Sequence, residues 1–391
     1  MPAPTRPSPA SFIKHAADVA SFYGFRPVRE VERQARTHKG HELERVRTHN
    51  FASVSAVCTT CTTLLTPQPA LAWWAGPAPL HLPLDLAALP AGRQGGFAEF
   101  GLHIAGTQES VGEVVLLKTM ATIITEWGTP LQRVRLNALG DKDSKLRYSR
   151  ELQFYFRKHA GSLCETCRTR TAQDPLAPFS CANEQCHAVA AGAPRAMNFL
   201  SEKSRAHFRD VLEHVEGLAI PYELDDLLVA DERESQLLFA FDLEGPDATL
   251  QGAVGGRFDD YVRKQSNRKD TSGLSASIFF RKKGLGPTNF TSPPRARPPR
   301  VFFVQLGLRA KLKGLSVLDD LRHAQVPVMQ SFDAAKLTPQ LDAARAAGVS
   351  HLIIMGQREA LDGTIIIREL GNSSQTILQV GQLPRFLKTL R

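Results

Sequence analysis

Cys164, Cys167, Cys181 and Cys186 read C-x2-C-x13-C-x4-C, and His187 directly follows the last of them. Thiolates in two close pairs suit a tetrahedral zinc ion, the charge of which holds the sulfurs deprotonated. Four protein ligands leave no open position for a substrate, so such a zinc would be structural. The competing reading is four unpaired thiols in a small loop domain. Cys58 and Cys61 form another C-x2-C with no second pair nearby and read as ordinary thiols.

The second chemical signal is positive charge. The 391-residue chain carries a net charge of +9 and a pI near 9.4, which favours a polyanionic partner such as RNA. The cations concentrate at Arg263, Lys264, Arg268, Lys269, Arg281, Lys282, Lys283, Arg295, Arg297 and Arg300, against Asp270 alone. Residues 291–300, TSPPRARPPR, form an extended proline-rich linker. A basic linker can be only a soluble tether; Arg281, Lys282, Lys283, Arg295, Arg297 and Arg300 are the candidates for phosphate contact. Residues 26–49 are also dense in arginine and read as a solvated face or an RNA-facing patch.

These residues need elements to position them. At this length two domains are the natural expectation. Apolar residues make up 42%, and no run of eighteen apolar residues is present, so no membrane span is expected. The start, MPAPTRPSPASF, has no basic-then-apolar signal layout; residues 1–10 read as a disordered lead and the chain as cytoplasmic. Six cysteines in that setting point to metal or free thiols before disulfides.

The last ninety residues have the clearest pattern. VFFVQLG, VPVMQSF and HLIIMG are short apolar strands. Leu312, Leu315, Leu318 and Leu321 recur at helical spacing, and Asp333 to Gly348 is a capped helix. TIIIREL and QTILQV form a hairpin, and a final helix begins near Gln382. The order β-α-β-α-β-β-β-α predicts a small α/β domain with a mixed five-stranded sheet.

The wording of this segment, KLTPQLDAARAAGVSHLIIMGQREALDGTIIIREL, resembles the anticodon-binding domain of histidyl-tRNA synthetases. Gln340, Gly348, Gly356, Glu359, Gly363 and Arg368 carry the likeness, and each is also a plausible turn or packing residue. Upstream, GRQGGFAEFGLHIAG resembles the second class II motif, with Gly92, Arg93, Phe97 and Gly106 in register. LQRVRLNALGD, DPLAPFSC and SEKSRAHFRDVLEHV resemble the family's insertion region, and GGRFDDYV its glycine-glycine-arginine strand, with Arg257 and Asp259 expected to pair. The resemblance covers the chain from about residue 11. It implies an α+β, antiparallel-sheet catalytic-type domain (11–283) with a zinc-bearing insertion at about 142–222. A linker (284–300) and the anticodon-binding-like domain (301–391) would follow.

The charged positions of the family's active site depart from its pattern. Asp85 stands at the ATP-clasping arginine, where a carboxylate would repel phosphates. Val229 replaces the arginine of the histidine-specific motif, and Phe280 the arginine of the third class II motif, expected at a helix start. The resemblance therefore implies a paralogue with no catalytic residue at these positions and no support for ATP binding. Such a protein would bind tRNA or another RNA, or regulate a partner. The alternatives are an active histidine–tRNA ligase and a regulatory subunit of histidine biosynthesis. The family is dimeric, although Val31 stands where its dimer-forming motif has proline.

Overall fold

The computed structural model describes residues 8–28, 30–31, 44–47, 62–65, 70–77, 96–181, 183–228, 235–244, 250–266, 272–282, 284–285, 299–330, 336–371 and 374–390. The chain opens with α1 (Pro9–Phe22), β1 (Arg26–Pro27), β2 (Glu44–Arg47), β3 (Thr62–Leu65), β4 (Ala70–Pro77) and β5 (Phe97–Ala105). Then come α2 (Val111–Glu126), β6 (Leu131–Gly140), α3 (Lys142–Lys158), α4 (Glu165–Arg170), α5 (Glu184–Ala191) and α6 (Glu202–Gly217). β7 (Tyr222–Leu224), β8 (Ser235–Leu243), β9 (Leu250–Arg257), α7 (Asp259–Ser266) and β10 (Gly273–Arg281) complete this part. No helix among the described residues is long and apolar enough to cross a membrane.

An eight-stranded sheet in the order β1-β4-β5-β10-β9-β8-β6-β7 forms its centre. The interior pairings are antiparallel, as expected, but both edges are parallel, β1 with β4 and β6 with β7. The sheet is therefore mixed rather than antiparallel throughout. The physical reason is connection length: β6 and β7 are separated by all of α3 to α6, long enough for a parallel return.

The two faces of the sheet pack against different things. Side chains alternate along a strand, so Trp73, Phe100 and Phe280 share one face and Trp74, Gly101 and Phe279 the other. The first face holds the main core with α1, α2 and α6, through Phe12, Ala16, Leu116, Met120, Phe208 and Val211. Helix α2 is buried on nearly every side, which its almost continuous apolar sequence, VGEVVLLKTMATII, requires. α1 begins at Ser8, whose hydroxyl accepts from the Ser11 amide at 3.2 Å in a capping box. On the opposite face Tyr148, Leu152 and Phe156 of α3 pack onto Leu139, Leu238, Ala240, Val254 and Phe279.

The C-terminal part contains β11 (Val301–Gln305), α8 (Leu308–His323), β12 (Met329–Gln330), α9 (Leu337–Ala346) and β13 (His351–Met355). α10 (Gln357–Asp362), β14 (Thr364–Glu369), β15 (Gln375–Gln379) and α11 (Leu383–Thr389) follow. Its mixed five-stranded sheet runs β12-β11-β13-β14-β15, parallel through β13 and antiparallel beyond it. Within VPVMQSF the described strand is Met329–Gln330; Pro327, before it, has no N–H to donate to a ladder, and Ser331 and Phe332 lie outside the described residues. α10 is an additional helix between β13 and the hairpin; Asp333 lies outside the described residues.

Several residues that carry the resemblance have structural uses here. Gln340 exchanges both hydrogen bonds with the Gln305 backbone, donating at 2.7 Å and accepting at 2.9 Å, and so acts as a strand partner from a helix. Glu359 accepts from the Gly356 amide at 2.9 Å, and Gly363 closes α10 with φ at 65°. The two parts are joined at α8: Tyr23 and Lys118 both donate to Asp319, and Arg322 clasps Glu126 through Nε and Nη2.

Candidate functional site

The four cysteines form one cluster. Cys164 is the N-cap of α4, and its sulfur accepts from the Cys167 amide at 3.4 Å, so both lie on the first turn. Asn183 caps α5 and accepts from the Gln185 and Cys186 amides, which holds Cys186 on that helix's first turn. The Cys164 amide donates to the Cys186 sulfur at 3.3 Å and the Asn183 amide to the Cys181 sulfur at 3.5 Å. All four sulfurs lie within 4.8 Å of one another, with Cys164 and Cys181 3.8 Å apart. Four thiolates at ~2.3 Å from a tetrahedral zinc would stand ~3.8 Å apart. The amide of Cys167, then the neighbouring thiols, draw the Cys164 thiol down to about 7, while burial pushes Cys167 and Cys186 up. The donor set, spacing and amide hydrogen bonds fit a structural zinc. His187 is exposed and takes no place among the four.

The pair expected between Arg257 and Asp259 is present at 3.3 Å, but the shorter contacts of Arg257 go elsewhere. Glu113 on α2 accepts from its Nε at 2.7 Å and its Nη2 at 2.6 Å, and the Thr107 carbonyl accepts from Nη1 at 2.8 Å. Glu113 also meets His207 Nε2 of α6 at 2.8 Å. Burial alone would raise the Glu113 carboxyl; Arg257 and His207 overcome it and hold it at about 2. This network fixes α2, α6 and β9 to one another. It lies in the core and offers no open position to a substrate. A single acid in the apolar stretch VGEVVLL is a legible sign of a buried partner, and one that sequence reasoning missed.

At the third class II motif the expected helix is absent. Residues 273–281 are strand β10, so successive side chains point to opposite faces rather than about 100° apart. Phe280 is in the core, 4.8 Å from the ring of Phe12, and Arg281 is exposed beyond it. The Lys282 amide donates to the Gly96 carbonyl at 2.6 Å, and the Arg300 carbonyl accepts from the Ser350 amide at 2.9 Å. Asp85, Arg93, Val229, Lys283, Arg295 and Arg297 lie outside the described residues, as do Cys58 and Cys61.

A second basic surface is ordered. The side of α3 that faces away from Tyr148, Leu152 and Phe156 presents Arg147, Arg150, Arg157 and Lys158, all exposed. None of the four has an ion-pair partner among the described residues. Phe154 stands between them, 68% exposed. On a 3.6-residue turn Arg150, Phe154 and Arg157 line up, with Asp143 and Glu151 the acids on the same side. Elsewhere, a cleft of about 290 Å³ opens at the ends of β6, β8 and β9, lined by Gln132, Arg135, Asp242 and Gln251. Asp242 there is held by Arg135 Nε at 2.9 Å and Arg133 Nε at 3.0 Å.

No family model matches the chain. Among curated proteins it is similar to histidine–tRNA ligases. That of Dehalococcoides mccartyi is 26% identical over 302 residues, 75% of this chain and 70% of the relative. That of Symbiobacterium thermophilum is 26% identical over 327 residues, 82% and 74%. That of Chlorobium phaeobacteroides is 28% identical over 304 residues, 75% and 68%. Among solved structures, apo histidyl-tRNA synthetase of S. aureus aligns over 82% of this chain and 77% of its own, at 19% identity and a TM-score of 0.42. A Bacillus halodurans structure titled as an ATP phosphoribosyltransferase regulatory subunit/histidyl-tRNA synthetase aligns over 89% and 94%, at 12% identity and a TM-score of 0.40.

Proposed function

We propose that this histidyl-tRNA-synthetase-like chain binds tRNA or another RNA and does not form histidyl-adenylate. The observation that carries the RNA reading is the α3 surface. Four cations without an ion-pair partner among the described residues, around an exposed aromatic ring, combine phosphate attraction with a platform for a base. Arg281, Lys282, Lys283, Arg295, Arg297 and Arg300 would extend the contact along the connection between the parts, which we place at 284–300. The zinc cluster supports the same surface by tying α4 and α5 beneath α3.

The loss of activation is argued from charge. Bending ATP against a carboxylate requires its phosphates to be neutralised in the transition state. Asp85, Val229 and Phe280 remove that charge at the positions where the family supplies it. A buried strand position cannot accept an arginine in place of Phe280 without bringing a charge into the core. A homodimer is part of the proposal, by analogy with the synthetases.

The competing reading is a working histidine–tRNA ligase, favoured by curated relatives that bear that name over three quarters of the chain. The test is fluorescence anisotropy of labelled tRNA against the full-length, zinc-replete protein across a salt series. Affinity that falls with salt and weakens on Arg150→Ala/Arg157→Ala supports the proposal. Absence of RNA affinity at low salt contradicts it.

A further inference from the structure

The sheet face opposite the main core carries the buried Glu99 and Phe279, with very small residues around them. Gly76 on β4, Gly101 on β5, Ser275 and Ser277 on β10, and Gly252 and Gly256 on either side of Val254 on β9 share that face. β5 is the strand whose sequence resembles the second class II motif. A floor of such small residues can receive something flat laid directly on the backbone, and in this chain the flat object is an indole.

Trp74 lies across the floor. A Cβ on Gly101 would stand 2.1 Å from Trp74 Nε1 and 2.3 Å from Cε2, so only glycine lets the ring rest there. A Cβ on Gly76 would stand 3.2 Å from Trp74 Cζ3. The ring runs nearly parallel to His103, with centroids 6.1 Å apart and planes at 17°. It is 8% exposed.

Beside the packing, several polar atoms on and around the ring are left unpartnered among the described residues. A buried indole N–H usually finds an acceptor; Trp74 Nε1, like those of Trp73 and Trp127, has none among the described residues. Ser277 Oγ, on the residue paired with Gly101, is fully buried and likewise unpartnered among the described residues. His103 Nδ1 and Ser275 Oγ share a hydrogen bond at 2.9 Å, and His103 Nε2 is unpartnered among the described residues. Burial lowers the His103 imidazole to about 4, so at neutral pH it is uncharged. A small floor, a stacking edge and unpartnered donors and acceptors make a site for a planar heteroaromatic ring. Trp74 supplies the ring and satisfies none of the polar atoms.

We infer that Trp74 is an internal plug, which fills the ring-binding position of this sheet face and so keeps a planar heteroaromatic ligand, such as a nucleobase, from binding there. The inference deepens the reading of a chain without adenylation; its geometry is independent of RNA binding.

Indole and adenosine serve as the probes, with thermal shift and ligand-observed NMR on the full-length protein. The wild type is expected to take neither. Trp74→Gly opens the space, and millimolar indole is expected to raise its Tm by several degrees, with adenosine giving a saturable response. A wild type that responds to adenosine as strongly as Trp74→Gly overturns the plug. So does a Trp74→Gly protein that is folded by circular dichroism and ignores indole. Gly101→Ala is the second variant, for the case in which Trp74→Gly does not fold. Its new Cβ must push the ring aside, so the Trp74 indole N–H resonance, assigned with Trp74→Phe, should shift and exchange faster; an unchanged resonance overturns the inference. Failure of the plug leaves the tRNA anisotropy result standing, and absence of RNA affinity leaves the indole result standing.

Discussion

Glu113 and Arg257 form a two-point ion pair inside the core, Oε1 with Nε at 2.7 Å and Oε2 with Nη2 at 2.6 Å. Both side chains are essentially excluded from solvent. A buried pair of this kind adds little relative to apolar packing, but removing one member strands the other. Glu113→Ala should therefore lower stability by ~3–5 kcal/mol, read from urea unfolding at pH 7. The pH dependence has a definite sign. The folded carboxyl is held at about 2, below an unfolded value near ~4.3. Its contribution is present above the unfolded value and is lost as pH falls toward 2. Glu113→Gln, compared with the wild type between pH 5 and 2, should flatten that loss. Equal slopes in the two proteins would show that Glu113 does not carry it.

Zinc content follows from the sulfur cluster. Purified protein should hold about one zinc per chain by elemental analysis, as a four-thiolate site binds one ion. Cobalt substitution should give the intense visible bands of a tetrahedral thiolate site. Cys186→Ser should lose the metal, and because an ion present at ~100 times its Kd adds ~2.7 kcal/mol, the Tm should fall by several degrees. A metal-free wild type with the same Tm would mean four free thiols.

The α3 surface separates two kinds of RNA recognition. Arg150→Ala/Arg157→Ala should weaken RNA binding evenly across sequences and reduce the salt slope by ~0.7–0.9 for each phosphate no longer neutralised. Phe154→Ala should leave the salt slope unchanged and cost ~1–3 kcal/mol for a stacked base. A Phe154→Ala protein with wild-type affinity for single-stranded and structured RNA would limit the surface to phosphate binding.

Asp319 joins the two parts of the chain. It accepts from Tyr23 Oη at 2.8 Å and Lys118 Nζ at 2.6 Å. Burial, with Asp319 next, raises the Tyr23 hydroxyl far above the usual phenol range, so it remains a donor at all ordinary pH values. Asp319→Ala leaves a buried hydroxyl and a mostly buried ammonium without their acceptor, and ~1–3 kcal/mol should be lost. The check is urea unfolding, with limited proteolysis between residues 284 and 300 as a second readout.

The parts of this molecule that are readable in sequence are those set by local rules. Leu315, Leu318 and Leu321 recur at helical spacing and are buried in α8; TIIIREL and QTILQV pair as a hairpin. The cysteine spacing is likewise local, since each close pair is brought together by one turn or helix start. What is not readable depends on contacts across long separations. Nothing near Arg257 in the chain names Glu113 as its partner, 144 residues away. The register of the third class II motif puts Phe280 at a helix start, whereas its apolar strand neighbours, LSASIFF, are the local signal for β10. Trp73 and Trp74 look alike in sequence, and only the sheet places one in the core against Phe100 and the other over Gly101.

The proposal under test is that this synthetase-like chain does not activate histidine. The most direct measurement is histidine-dependent exchange of pyrophosphate into ATP by purified, zinc-replete, full-length protein, with an active histidyl-tRNA synthetase run in parallel. Exchange should be no greater than in the absence of histidine. Exchange above that control would overturn the proposal and show that Asp85, Val229 and Phe280 do not mark a loss of activation.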